Sequence, residues 1–164
     1  MAILFKHFKL RVMELIPLIL LFFISLNGSS VLNIEFFSVN VLYILVYFWI
    51  LRQPHILGVG YIFLAGIITD VVFGLPMGAS SLSLLVIAGV AAYVRTVTVR
   101  ITLINDWISF IPALLLANFC YFIALYFSNY QIEYLYLFKI SIFTFVFYPI
   151  LWGIFSIILK FMRS

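Results

Sequence analysis

Charge is what this sequence has least of: nine Lys and Arg and five Asp and Glu in 164 residues. So few polar groups could not cover a water-soluble domain of this length, which excludes a soluble enzyme or binding module and places the chain in lipid. Cysteine is nearly absent as well. Cys120 stands alone, so no intrachain disulfide and no CxxC pair can form. The two histidines, His7 and His55, lie far apart with no acid or thiol at ligand spacing, which argues against a metal centre. The stretch GVG at 58–60 lacks the Lys-Ser/Thr ending of a phosphate loop and the strand that would precede a dinucleotide fold. Glu14, Glu35, Asp106 and Glu133 fall near different run ends, leaving no carboxylate pair or Ser/His/Asp set. No catalytic residue, metal or cofactor is therefore expected. Internal repeats, low-complexity linkers and long polar gaps are lacking too.

What fills the chain is apolar: 67% hydrophobic residues, with aromatics at 20%. In a bilayer such a chain must form helices or a closed barrel. Barrel strands alternate apolar and polar residues, whereas the runs here are apolar on every side, so helices are expected. The runs fall at 13–27, 37–52, 56–75, 79–95, 105–128 and 138–160. Counting about 20 residues per crossing, they predict an all-α polytopic bundle of six transmembrane helices in one integral-membrane domain over 1–164. Lys and Arg stay preferentially on the cytoplasmic side. With both termini cytoplasmic, Lys6, Lys9, Arg11, Arg52, Arg95, Arg100, Lys160 and Arg163 lie inside and only Lys139 outside. The net charge of +4 then reflects span ends facing anionic lipid, and implies no nucleic-acid partner. The opening MAILFKHFKLR separates Ala2, Leu4, Phe5 and Phe8 from Lys6, Lys9 and Arg11 on a helical wheel, as a retained membrane-surface helix would. Tyr126, Tyr130, Tyr134 and Tyr136 read as an interfacial belt, and Trp49 and Trp107 as boundary anchors.

One run is chemically distinct. In ILGVGYIFLAGIITDVVFGL, residues 56–75, Gly58, Gly66, Asp70 and Gly74 recur at multiples of four. They share a helix face almost free of side-chain bulk. An ionised Asp deep in the bilayer costs about 2.5–3.5 kcal/mol, so Asp70 is expected to face protein across the glycine stripe. Ser83 and Asn118 lie at matching depth and are its expected hydrogen-bond partners. An in-line proton relay would need further ionisable groups at that depth, and the sequence supplies none. After Gly74 the chain reads LPMGASSL: Pro76 ends the helix, Gly78 permits positive φ, and Ser80 or Ser81 can cap the next helix, making a tight hairpin.

The stretch PHILGVGYIFLAGIITDVVFGLPMGASSL, with Pro54, Gly60, Phe63, Gly66, Asp70, Gly74, Gly78 and Leu82 at these spacings, resembles the signature of the bacterial rod shape-determining protein MreD family. It covers about thirty residues. The chain departs from the family at the start of the second run, where the family often has Pro before a polar residue and Val39 precedes Asn40 here. The resemblance implies a non-enzymatic, multi-pass subunit of the bacterial inner membrane that supports cell-wall elongation. It would bind the single-span protein MreC and connect through it to the MreB filament, RodA and a class B penicillin-binding protein. The family is also similar in fold to the substrate-binding subunits of energy-coupling-factor vitamin transporters. That likeness supplies a rival expectation, whose mark would be an outer pocket with convergent polar groups.

Overall fold

The computed structural model describes residues 15–28, 31–34, 37–98, 102–130 and 134–163. The surface helix expected at the N-terminus, with Lys6, His7, Lys9 and Arg11, lies outside the described residues, as do Glu14, Glu35, Arg100 and Glu133. The described residues form six helices and one hairpin: α1 Ile16–Leu26, β1 Val31–Ile34, β2 Phe37–Asn40, α2 Val41–Arg52, α3 Val59–Phe73, α4 Ala79–Val97, α5 Leu103–Phe127 and α6 Tyr134–Arg163. The strands pair antiparallel in the register Val31↔Asn40 to Ile34↔Phe37.

The expectation of six transmembrane helices is wrong. Three helices, α4, α5 and α6, are long and apolar enough to cross a membrane. The others have 11, 12 and 15 residues. At 1.5 Å per residue they reach roughly 16–23 Å, short of the about 30 Å of hydrocarbon. The apolar runs overstate helix length because the chain spends part of each on something else. The run at 37–52 gives its first four residues to β2, and the run at 56–75 ends in a left-handed Gly74 followed by Leu75. With three such helices among the described residues, the even parity on which both cytoplasmic termini rested is lost.

Burial separates the two kinds of apolar helix. In α2 every residue from Val41 to Leu51 is buried, so a helix hydrophobic all round is here the core of the bundle. It lies against α4 and α6, with α1 at its side. Its N-terminus is fixed by Asn40, whose side chain accepts from the Tyr43 N–H at 3.2 Å while its own N–H donates to Thr144 Oγ1 of α6 at 2.9 Å. Asn40 thus sets the entry of this helix without the proline the MreD resemblance leads one to expect. In the most apolar stretches of α4, α5 and α6 only 39%, 28% and 22% of residues are buried. The remainder display large side chains such as Leu115, Phe119, Ile150 and Ile157. An apolar surface of that extent fits lipid, and the protein is a multi-span membrane protein.

Trp49 is buried in the core cluster, and is not a boundary anchor. Trp107 donates from Nε1 to the Phe145 carbonyl at 2.9 Å and stacks on the Phe145 ring. That carbonyl lies four residues before Pro149, inside α6. Proline has no N–H to offer it, and the Trp107 indole takes the vacant place, tying α5 to α6.

Candidate functional site

The α3–α4 hairpin holds the signature residues. Asp70 lies in the last turn of α3 and is fully buried. Its backbone carbonyl accepts from the Leu75 N–H at 2.8 Å, the long-range bond of a helix end closed by a left-handed residue, here Gly74 at φ 63°. Its side chain reaches the other strand of the hairpin. Oδ2 accepts from the Gly78 N–H at 2.7 Å and Oδ1 from the Ser80 N–H at 2.9 Å. Both donors belong to the start of α4, where N–H groups have no partner within the helix and the helix dipole favours negative charge. Gly78, the residue before α4, has φ 98° and no side chain to cap the helix. Asp70 supplies the missing cap from the neighbouring helix. One acid closes the end of α3 with its main chain and the beginning of α4 with its carboxylate.

Ser83 and Asn118 are therefore not the partners of Asp70. The Ser83 hydroxyl donates to the Ser80 carbonyl at 2.9 Å, and Asn118 donates from Nδ2 to Ser141 Oγ at 2.7 Å. Matching depth singled out polar side chains, but orphan backbone donors at a helix start take the carboxylate instead.

Gly66 marks the closest approach of the two helices. A Cβ there would stand 2.6 Å from the Ser81 backbone nitrogen, so only glycine fits. The Ser81 hydroxyl donates to the Phe63 carbonyl at 3.0 Å across the same seam. The other signature residues divide by direction. Gly58 precedes α3 as its cap. Gly60, Phe63 and Leu82 are exposed, and a Cβ on Gly60 would meet nothing within 4 Å. Gly60 and Phe63 stand three apart on α3, Leu82 follows Ser81, whose hydroxyl bonds the Phe63 carbonyl, and each of the three is exposed.

Beside the buried carboxylate lies a cavity of about 240 Å³ lined by Asn40, Tyr43, Ser80, Ser83, Asn118 and Tyr121, with Tyr130 and Tyr136 at its edge. Tyr130 and Tyr136 border this cavity and are exposed, as Tyr126 is.

The opposite end of the bundle carries a polar cluster that sequence reasoning missed. Arg52, the last residue of α2, donates from Nη1 to Asp106 Oδ2 of α5 at 3.0 Å. Trp152 Nε1 of α6 donates to the same oxygen at 3.0 Å. The guanidinium also lies over the Phe48 and Trp152 rings. Fifty-four residues separate the acid from the base, so no local spacing could reveal the pair. Arg95 and Lys160, at the ends of α4 and α6, share this end, and Lys139 lies towards the other. The expected one-sided distribution of cations is therefore visible among the described residues. Among those residues no group of His, Cys, Asp and Glu could hold a metal ion.

No family model, curated protein or solved structure matches this chain.

Proposed function

We propose that this protein is a non-enzymatic scaffold subunit of the bacterial inner membrane, acting in cell-wall elongation as the resemblance to the MreD family implies. The observation that carries the reading is the division of labour in the α3–α4 hairpin. Asp70 and Gly66 make the hairpin rigid from within, while Gly60, Phe63 and Leu82 are left facing outward. An apolar surface with a glycine in it lets a partner helix come close, which is how helices associate in lipid. The partner is the single membrane span of MreC, through which the bundle connects to MreB, RodA and a class B penicillin-binding protein. The cluster of cations at one end sets that end on the cytoplasmic side.

Depletion in the native bacterium, followed by microscopy and pull-down, tests the proposal. Rounded cells and recovered MreC are expected, with recovery lost in Gly60→Leu while the protein stays folded. Normal cell shape without MreC recovery would refute it. The cavity beside Asp70 favours a second reading, the substrate-binding subunit of an energy-coupling-factor type transporter. Copurification of a vitamin together with an ATPase module would select that one.

A further inference from the structure

Two spaces in this bundle share a wall. The 240 Å³ cavity beside the hairpin sets Asn40, Ser80, Ser83 and Asn118 within an otherwise largely apolar lining, and no Lys, Arg, His, Asp or Glu among the described residues lines it. Three of its polar groups are unused: the Asn40 amide nitrogen, the Asn118 carbonyl oxygen and the Ser80 hydroxyl have no partner among the described residues. The second space is a groove of about 560 Å³ between α5 and α6, lined by Ile111, Leu115, Phe119, Ile142 and Phe145. Asn118 and Leu137 line both. A chamber with a few spare donors and acceptors in its lining therefore adjoins an apolar trough, with two side chains between them.

We propose that cavity and groove form one site for a single-chain amphiphile with an uncharged, hydroxyl-bearing head, the head seated in the cavity and the chain in the groove. Charge decides the head. A buried phosphate or carboxylate needs a cation or several donors to offset its desolvation. The lining offers no cation, and both oxygens of the nearby Asp70 are already bonded. A hydroxyl both donates and accepts, which matches the spare Asn40 donor, the Asn118 acceptor and the Ser80 hydroxyl. Size restricts the head further: the cavity is below the about 300–1,000 Å³ usual for drug-sized ligands, which suits a glycerol or one sugar ring. The groove decides the tail, since its walls are apolar apart from the Asn118–Ser141 bridge. The inference goes beyond the scaffold role, so rod-shape depletion could fail while amphiphile binding is upheld, or the reverse.

The test uses the full chain in phosphatidylcholine nanodiscs with a diazirine-tagged monoacylglycerol as the probe. Saturable adducts are expected on the α5 and α6 segments that line the groove. Unlabelled monooleoylglycerol should compete at least about tenfold better than lysophosphatidylglycerol, the cost of burying a phosphate without a cation. Asn118→Leu should weaken binding about fivefold, the value of one hydrogen bond. Ile142→Trp, which fills the groove, should abolish it, and Leu116→Trp, on an exposed face of α5 outside the groove, should leave it unchanged. Melting temperatures confirm that each variant is folded. Equal competition by the two lipids, adducts spread without saturation over the outer faces, or unchanged binding in folded Asn118→Leu and Ile142→Trp would each overturn the proposal.

Discussion

Asp70 and Gly66 stabilise the same hairpin by different physics, and substitutions separate them. Asp70→Leu strips one buried and one part-buried backbone N–H of their acceptor and should cost about 3 kcal/mol, at the usual 1–3 kcal/mol for each donor left unsatisfied. Asp70→Asn keeps one acceptor oxygen but turns an amide N–H₂ towards the second donor. Its loss should be intermediate, about 1–2 kcal/mol, as read by thermal unfolding in detergent. Leu and Asn variants of equal stability would show that the carboxylate does not cap α4. At Gly66 the limit is space: Gly66→Ala should destabilise by about 1–3 kcal/mol because the Ser81 backbone cannot yield. Gly60→Ala, with open space around it, should be neutral or gain up to about 1 kcal/mol of helix propensity. Tyr148 is buried with a hydroxyl that has no partner among the described residues, so Tyr148→Phe should leave the melting temperature unchanged or raise it. Gly66 and the inward acid were legible in the sequence through their spacing, but the wider stripe was not real: Gly58 precedes α3, and Gly74 closes it in a left-handed turn with open space around it. The identity of the acid's partners was not, because the donors are backbone groups that every residue carries.

Helices in this protein are joined by side chains that complete one another's backbone or charge. Trp107 on α5 bonds the carbonyl that Pro149 leaves open in α6. Trp107→Phe should cost about 1 kcal/mol in the native background, and less when Pro149→Ala has restored an N–H to that carbonyl. A double-mutant cycle with no coupling would disprove the link. Arg52 and Asp106 join α2 to α5 at the cation-bearing end. Removing only Arg52 leaves a buried carboxylate and should destabilise by about 3–5 kcal/mol, while the paired Arg52→Met and Asp106→Leu should recover much of the loss. Unfolding of both variants reads this directly. Neither link shows in the sequence, since periodicity reports which face of a helix is apolar and not which residue on another helix will meet it.

Across the whole bundle, apolarity serves two ends. The long helices turn it outward to lipid, and α2 turns it inward as a core surrounded by its neighbours. Native tryptophan fluorescence in brominated lipid should separate the two. A variant retaining only Trp49 should be quenched weakly, because that ring is buried. Adding Leu116→Trp to it should give strong quenching, because position 116 is exposed. Equal quenching would mean that α2 faces lipid after all. The six-span count failed at this scale: a run of apolar residues satisfies protein contacts and acyl chains equally well, and hydropathy cannot tell them apart.

The sequence by itself determined that this protein lives in lipid, that its backbone is mainly helical, that its described cations gather towards one end and that Asp70 turns inward. Each follows from the cost of exposing or burying a type of residue, which is a property of composition and spacing. Only the tertiary structure decided how many helices can cross, that the acid caps the neighbouring helix, and that Arg52 meets Asp106. Those outcomes depend on which distant surfaces come together, and no local pattern holds that information.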